Sequence, residues 1–206
     1  MKRIILASNS PRRKELLGNI GLKFDILPDK NPEPSKEGLN PQETVMFLAK
    51  FKGENVRKVL KADEDATIIS ADTVVAVEDK ILGKPKTEDE AFMMLSLLSG
   101  KKHSVYTGVY VVENKTLKSV NFYEKTEVYF KNLDINEIKD YINTKEPMDK
   151  AGAYGIQNMG SLLIEKICGD YFNVVGLPVC SLGKVLKEEF GIKFFKISDT
   201  EGGVLL

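Results

Sequence analysis

The chain has 206 residues, and its 30 lysines and arginines balance its 30 aspartates and glutamates, so the formal net charge is zero. Without a basic excess the chain has no general attraction to DNA, RNA or anionic lipid, and any anion site requires a local concentration of charge. No apolar run approaches the roughly 20 residues of a membrane helix, and the N-terminus enters a strand pattern without a signal peptide's apolar core. We therefore expect a cytoplasmic protein whose partners include neither nucleic acid nor a membrane.

The first predicted elements are a buried strand, MKRIILA, and a helix that begins at Pro11, with Ser10 as its N-cap and Gly21 as its stop. Arg12 and Arg13 lie in the first turn of this helix, where unpaired backbone amides and the helix dipole already attract anions. Two guanidinium groups there repel the dipole and each other, so we interpret them as part of a phosphate site. The alternative is that both arginines are solvated or pair with surface acids.

The next segments predict, in chain order, a short strand in FDILP, a proline-rich loop that contains Glu33, and a helix over PQETVMFLAKFKGENVRKVLK. ATIISADTVVAV and ILGKP then form a predicted hairpin. TEDEAFMMLSLLSG follows as a helix with Thr87 as its N-cap.

The second half of the chain begins with residues 104–133, where β-branched and aromatic residues alternate with polar ones and predict two or three antiparallel strands. A helix over 134–143 follows, then DKAGAYGIQNMG as a glycine-rich turn, SLLIEKICG and YFNVVG as strands, and a last helix opened by Pro178. Strands and helices mix without strict β-α-β alternation, which favours an α/β fold with a mixed sheet flanked by helices. The Walker A and GxGxxG phosphate loops are absent.

Cysteine and histidine offer little chemistry in this chain. Cys168 and Cys180 form no C-x-x-C pair and His103 is the only histidine, so neither a zinc site nor a disulfide framework is indicated. We interpret both cysteines as small core residues. His103 follows two lysines where a strand begins, which favours a solvated surface histidine over a catalytic one.

Several other residues are unexpected on grounds of stability alone. Asp72 lies inside the apolar run TIISADTVVAV, and burying an isolated carboxylate costs several kcal/mol unless a cation is near. We therefore interpret Asp72 as functional. Glu33 and Lys52 are ambiguous, because loop acids and helix lysines are usually solvated. The remaining candidates lie before a proline or around the glycine-rich turn: Lys84, Asp149, Lys150 and Gln157.

A family resemblance joins these observations. SNSPRRKELL, SADTVV, LGKP, YTGV, DKAGAYGIQ and GDYFNVVGLPV, in that order, resemble the Maf family of nucleoside triphosphate pyrophosphatases from Arg3 to about Phe190. The combination of ADT, GKP and GIQ looks like the branch that acts on dTTP and UTP. The resemblance implies a single domain over residues 1–206 with an elongated mixed sheet and two lobes around a cleft, similar to the inosine triphosphate pyrophosphatases. It also implies a homodimer with a house-cleaning role in nucleotide metabolism.

The resemblance assigns roles to residues. The catalytic aspartate falls on Asp72, the proton acceptor that would activate water, and Glu33 falls on the acid that helps it to hold a divalent metal. This metal is expected to be Mg²⁺, with Mn²⁺ and Co²⁺ as alternatives, and Lys52 is expected to act in catalysis as well as in binding. The positions that hold the triphosphate are Ser8, Arg12, Arg13 and Lys52. The positions that select the base are Arg12, Thr73, Lys84 and Gln157.

The chemistry suits these residue types. Cleavage between the α and β phosphates needs a water aimed at the α-phosphorus, a base in reach of it, and cations around the pyrophosphate leaving group. Uracil and thymine present an N3–H donor between two carbonyl acceptors. The Gln157 amide offers both a donor and an acceptor to that edge, with Lys84 and the Thr73 hydroxyl covering a carbonyl.

Two alternatives to this function stay open, and one residue departs from the family pattern. The physiological substrates could be modified pyrimidine triphosphates, with dTTP and UTP accepted because they share the same edge. The chain could instead be a nucleotide-binding regulator of cell division, since the family has also been linked with septum formation. The departure is Gly53, where the family more often has alanine, and a glycine there is expected to loosen the helix by about 1 kcal/mol.

Overall fold

The computed structural model describes residues 3–78 and 80–195. The helices are α1 (Pro11–Asn19), α2 (Pro41–Lys58), α3 (Glu88–Leu98), α4 (Ile135–Asn143), α5 (Tyr171–Val175) and α6 (Val179–Phe190). The strands are β1 (Arg3–Leu6), β2 (Asp25–Ile26), β3 (Ala66–Val77), β4 (Lys80–Leu82), β5 (Lys102–Glu113), β6 (Ser119–Phe130) and β7 (Ile164–Cys168). Short 3₁₀ helices span Glu146–Asp149, Ala151–Ala153 and Asn158–Leu163. Among the described residues, no helix combines the length and apolar character needed to cross a membrane.

The strands form one seven-stranded sheet in the order β2-β1-β3-β5-β6-β7, with β4 also paired to β3. β1 runs parallel to β2 and β3, whereas β3 pairs antiparallel with β4 and β5, and β5, β6 and β7 continue antiparallel. This topology confirms the predicted α/β fold with a mixed sheet flanked by helices. The division into two lobes and the single domain over residues 1–206 stay predictions, since residues 1–2, 79 and 196–206 lie outside the described residues.

β3 is the strand on which the rest of the sheet is organised. Its whole length from Thr67 to Ala76 pairs with β5, but its other edge is covered only at the two ends. β1 covers residues 66–69 of that edge and β4 covers residues 75–77. In the part of the chain that the structure describes, residues 70–74 therefore have no strand partner on this edge, and the sheet is open there.

The alternating side chains of β3 contribute to different cores. Ile68 belongs to a buried cluster with Ala49 and Val56 of α2, whereas Ile69 belongs to a cluster with residues of α1 and α6. Further along the strand, Val75 and Val77 pack in a third cluster with α3 and α4. The helices thus cover both faces of β3 and leave its open edge accessible.

Gly53 marks the closest approach of α2 to the sheet. A Cβ atom built on Gly53 would lie 2.6 Å from Ser70 Oγ and 2.7 Å from Tyr110 Cδ1, both of which are too short for real contacts. Ser70 and Tyr110 are themselves buried. The glycine therefore permits tight packing of this helix, and the expectation that it also loosens α2 stays a prediction.

Three expectations about the C-terminal third of the chain are corrected. The segment YFNVV is α5 and not a strand, because Asp170 caps it through a hydrogen bond from Phe172 N and Gly176, at φ 123°, ends it after one turn. The glycine-rich turn folds largely as 3₁₀ helices. Cys168 and Cys180 are exposed and not core residues, because the first ends the edge strand β7 and the second opens α6.

His103 is also corrected, because it is buried, with 2% of its surface exposed, and not solvated. The alternation of β5 directs it into the core, where its ring contacts the rings of Phe130 and Tyr154 edge-on. Its Nε2 atom lies 2.7 Å from the Tyr154 hydroxyl. Burial lowers the pKa of His103 from 6.5 to about 4.

Replacing Gly53 with alanine is expected to lower the free energy of unfolding by about 1–3 kcal/mol, because Ser70 and Tyr110 must move to admit the methyl group. Urea denaturation of both proteins at neutral pH measures the difference. Gly18→Ala in α1 is the matched control, since nothing lies within 4 Å of its Cβ position. That control should be stabilising by up to about 1 kcal/mol. Equal stability of Gly53→Ala and the parent would contradict the packing argument.

The lowered pKa of His103 predicts a specific acid sensitivity. The folded protein binds this proton more weakly than the unfolded chain, so the contribution to stability is complete above pH 6.5 and is lost as the pH falls towards 4. Between pH 7.5 and pH 5 the parent should lose about 2 kcal/mol more of its free energy of unfolding than His103→Gln, which cannot titrate. Urea denaturation at both pH values measures this, and parallel losses in the two proteins would refute it.

Candidate active-site cleft

Two adjoining cavities of about 390 Å³ each share part of their lining, and the first of them lies along the open edge of β3. One of them has apolar walls from Val75, Val105, Tyr154, Ile156 and Val175. The other is lined by polar groups that include Ser8, Asn9, Asp29 and Asn31. Residues that line both cavities include Arg12, Arg13, Glu33, Lys52, Lys84 and Asp149. The first cavity, called the apolar end below after these wall residues, is also lined by polar side chains, and charged side chains join it to the second cavity, called the polar end.

The start of α1 forms one wall of this cleft, as the sequence predicts. Ser10 caps the helix by accepting a hydrogen bond from Arg13 N, and Pro11 occupies the first helical position. Ser8, just before the cap, accepts a hydrogen bond from Ser10 N at 3.2 Å. The chain thus leaves β1 at Leu6 and turns so that the first turn of α1 faces the open edge of β3.

Arg13 ties together three separate parts of the cleft. Its guanidinium donates from Nη1 to Ser8 Oγ at 3.2 Å, from Nη2 to Thr73 Oγ1 at 3.0 Å and from Nε to the Gly176 carbonyl at 2.8 Å. All three partners are neutral, and no acid lies within ion-pair distance of Arg13 in residues 3–78 and 80–195. Burial lowers the pKa of Arg13 from its ordinary value. These three hydrogen bonds therefore fix the position of the guanidinium charge before any anion binds in the cleft.

Arg12 behaves differently from its neighbour. Its Nη1 atom donates to Asp149 Oδ2 at 3.1 Å, and Asp149 also accepts from Lys150 Nζ at 2.7 Å. Burial alone would raise the pKa of Asp149, but its hydrogen bonds from Lys150 and Arg12 lower it. The alternative that these arginines pair with surface acids therefore describes Arg12 in this structure and does not describe Arg13.

Lys52 is the central cation of the cleft. α2 carries it to the open edge of β3, where its Nζ atom lies 2.6 Å from Asp72 Oδ1 and 2.8 Å from Glu33 Oε1. Asp72 is buried, with 8% of its surface exposed, so the ammonium group supplies the nearby cation that a carboxylate in an apolar strand requires. The structure thus brings Glu33, Lys52 and Asp72 together from a loop, a helix and a strand.

The charges of this group shift the ionisation of its members. Burial alone would raise the pKa of Glu33, but the hydrogen-bonded ammonium groups of Lys52 and Lys36 lower it to about 2. Burial alone would lower the pKa of Lys52, but the carboxylates of Asp72 and Glu33 outweigh burial and raise it. Lys52 and Glu33 are therefore both charged throughout the physiological range of pH.

The four predicted base-selecting residues, Arg12 among them, line the apolar end of the cleft. Thr73, Lys84 and Gln157 come from β3, from the segment after β4 and from the start of a 3₁₀ helix, and all three line the same cavity. Among the described residues, neither the Lys84 ammonium nor the Gln157 amide has a hydrogen-bonding partner. By contrast, the Thr73 hydroxyl lies 2.9 Å from the hydroxyl of Thr107 on β5, in addition to its bond from Arg13.

Sequence reasoning missed some members of this arrangement. Thr107 is buried behind Thr73, and Lys36 holds the second oxygen of Glu33 at 2.9 Å. Thr107 had a usable signal, since it is a polar residue at an inward position between Val105 and Val109 of an apolar strand. The carbonyl of Gly176 could not be predicted from the sequence, because every residue type has a backbone carbonyl group.

Comparison with known proteins identifies the family. The model for Maf-like protein matches residues 3–189. The chain belongs to the Maf family. The resemblance read from the motifs is therefore confirmed.

Individual relatives share most of their length with this chain. A dTTP/UTP pyrophosphatase of Thermoanaerobacter sp. (strain X514) is 51% identical over 191 residues, which are 93% of this chain and 98% of the relative. One of Carboxydothermus hydrogenoformans is 52% identical over 188 residues, which are 90% of this chain and 98% of the relative. The structure of the Staphylococcus aureus Ham1 protein has a TM-score of 0.45 and 16% identity, covering 63% of this chain and 72% of that chain.

The pairing around Lys52 predicts that Lys52→Gln raises the pKa of Glu33 from about 2 towards its ordinary value of 4.5, because the closer ammonium group is lost. Carbon-13 NMR titration of the glutamate carboxylates between pH 2 and pH 6 measures the change. Lys36→Gln is the matched control and should raise the pKa less. A larger rise in Lys36→Gln than in Lys52→Gln would contradict the assignment of Lys52 as the central cation.

Proposed function

We propose that this chain is a nucleoside triphosphate pyrophosphatase that hydrolyses dTTP and UTP to the monophosphate and pyrophosphate. The carrying observation is a buried carboxylate, Asp72, on the open edge of a strand and 2.6 Å from a lysine, in a cleft walled by two arginines of a helix start. Relatives about half identical over nearly the whole chain are named dTTP/UTP pyrophosphatases. The cations suit the negative charge of a phosphate chain, and the carboxylate can accept a proton from an attacking water.

The two ends of the cleft suit the two ends of such a substrate. The apolar walls at Val75, Val105 and Ile156 offer faces for a planar base, with Lys84 and Gln157 at its polar edge. The polar end, with Ser8, Arg12, Arg13 and Lys52, offers hydrogen-bond donors and positive charge to the phosphates. This orientation places the α-phosphate between the two ends, next to Asp72.

Asp72 serves as the general base in this proposal. Lys52 holds its Oδ1 atom, while its Oδ2 atom accepts no hydrogen bond from the described residues and is free to take a proton from water. Lys52 uses its other contact on Glu33, and the third N–H of its ammonium group remains for a phosphate oxygen. Arg12 and Arg13 offset the charge that develops on the departing pyrophosphate.

A divalent cation, Mg²⁺ in the first place and Mn²⁺ or Co²⁺ as alternatives, is part of the proposal. Within the described residues no three His, Cys, Asp or Glu side chains lie close enough together to form a metal site on their own. Glu33 and Asp72 nevertheless contact one ammonium group, so their carboxylates converge, and two carboxylates plus substrate phosphates are a usual donor set for Mg²⁺. When bound, the cation would withdraw charge from the phosphoryl oxygens.

Further features belong to the same proposal. We infer a homodimer in the cytoplasm with a house-cleaning role, in which modified pyrimidine triphosphates are accepted because they share the edge of uracil and thymine. The equal numbers of cationic and anionic side chains support a free nucleotide over a nucleic acid as the substrate. Comparison of kcat/KM for methylated and plain pyrimidine triphosphates distinguishes the two substrate classes.

The experiment that tests the proposal is incubation of the purified protein with each nucleoside triphosphate and Mg²⁺, followed by identification of the products. We expect monophosphate and pyrophosphate, fastest from dTTP and UTP. Asp72→Asn should lower kcat by at least about 100-fold, because the general base is lost. The matched control is Asp140→Asn, which changes an exposed acid of α4 away from the cleft and should keep full activity. Release of orthophosphate, or wild-type rates in Asp72→Asn, would overturn the proposal.

A further inference from the structure

A pair of hydroxyl groups lies behind the base-binding end of the cleft. Thr73 Oγ1 on β3 and Thr107 Oγ1 on β5 are cross-strand neighbours and lie 2.9 Å apart. Thr107 is fully buried, and its Oγ1 also lies 2.9 Å from the backbone carbonyl oxygen of Asn173. On the other side, Arg13 Nη2 lies 3.0 Å from Thr73 Oγ1. The four groups form a continuous chain from a guanidinium to a carbonyl.

The direction of this chain follows from the number of protons available. A carbonyl oxygen only accepts, so the single hydroxyl proton of Thr107 must point to Asn173. Thr107 then has only lone pairs for Thr73, so Thr73 must donate its own proton to Thr107. Arg13 has only donors, and it occupies one lone pair of Thr73. Each hydrogen bond therefore points from Arg13 towards Asn173.

The consequence is that Thr73 faces the cleft as an acceptor and has no proton to offer. The remaining lone pair of its hydroxyl matches a donor such as the N3–H of uracil or thymine. In cytosine N3 carries no hydrogen and is itself an acceptor, so it would oppose this lone pair. A buried acceptor facing an acceptor leaves both unpaired, which costs binding free energy.

The two neighbouring groups cannot discriminate in the same way. The Lys84 ammonium group only donates, so against O2, which both pyrimidines carry, it suits either base. The Gln157 amide has no hydrogen-bonding partner among the described residues, so it can rotate to present either its oxygen or its nitrogen. Among Thr73, Lys84 and Gln157, Thr73 is thus the group that is fixed as an acceptor.

We propose that Thr107 is a positioning residue for base selection. It accepts the hydrogen bond from the Thr73 hydroxyl, so that Thr73 can only accept a hydrogen bond from a base, which favours a pyrimidine with hydrogen on N3. The proposal rests on the proposed function. It replaces the expectation that the Thr73 hydroxyl donates to a base carbonyl. Thr107 itself does not touch the base, because it is buried behind Thr73.

The test removes the hydroxyl behind Thr73. In Thr107→Val the Thr73 proton has no partner behind it and can turn into the cleft, where it can meet N3 of cytosine. The Asn173 carbonyl keeps its hydrogen bond from Gly176 N, at 3.1 Å, so no acceptor is left unpaired there. We expect the ratio of kcat/KM for UTP to kcat/KM for CTP to fall about tenfold or more.

Controls separate this effect from general loosening. Thr107→Ser keeps the hydroxyl and should restore the parent ratio. Thr67→Val removes a buried hydroxyl on β3 that has no hydrogen-bonding partner, and both the activity and the ratio should stay unchanged. A structural defect in Thr107→Val would lower both kcat/KM values in parallel and leave their ratio intact. Thr107→Ala, which also lacks the hydroxyl, replaces the valine variant if circular dichroism shows that the latter is unfolded.

The outcomes distinguish the inference from the function on which it rests. A parent enzyme that prefers UTP to CTP, together with a folded Thr107→Val or Thr107→Ala that shows the parent ratio, overturns the inference and leaves the proposed function standing. A parent that hydrolyses neither nucleotide overturns both. A parent that hydrolyses both equally overturns the inference. A reduced ratio that Thr107→Ser restores supports it.

Discussion

The cleft depends on one gap in the hydrogen bonding of the sheet. β3 is paired along its length with β5, but β1 and β4 cover only the two ends of its other edge. Consecutive side chains of a strand normally point to opposite faces. Because residues 70–74 have no strand beside them, among the described residues, both Asp72 and Thr73 reach the same cavity. The gap therefore opens two consecutive side chains of β3 to one cavity.

The second requirement is a set of cations that are held before any ligand arrives. Lys52 is paired with Asp72 and Glu33, whereas Arg13 donates to three neutral acceptors and has no ion-pair partner among the described residues. Groups fixed in this way need little reorganisation when charge develops on the substrate, which is the main source of electrostatic catalysis. Arg13 also links the polar end, through Ser8, to the base end, through Thr73. The two ends of the cleft are thus connected by hydrogen bonds to one guanidinium group.

Much of this could be predicted from the sequence, because local rules dominate there. Pro11 and Ser10 fix the start of α1. The free-energy cost of burying an aspartate in the apolar run of β3 indicates that this residue has a function. Local rules could not predict the pairing of Lys52 with Asp72, because this pairing depends on how α2 packs against β3. That packing is close because Gly53 has no side chain. The direction of the Thr73 hydroxyl needed the register between β3 and β5, which residue types do not state.

The wrong predictions share a cause, which is that tertiary context outweighed local pattern. YFNVV is rich in strand-forming residues, yet the Asp170 cap and the turn at Gly176 make it helical. His103 follows two lysines, yet the strand period directs it into the core beside Tyr154. Both cysteines resemble core residues, yet they lie at element ends where the chain is exposed.

The central claim is that the cleft directs water at the α-phosphorus from the side of Asp72, with pyrophosphate as the leaving group. Hydrolysis of dTTP in oxygen-18 water with Mg²⁺, with mass spectrometry of both products, tests it most directly. The account predicts one oxygen-18 atom in thymidine monophosphate and none in pyrophosphate. Oxygen-18 in the pyrophosphate would mean attack at the β-phosphorus and would contradict the account.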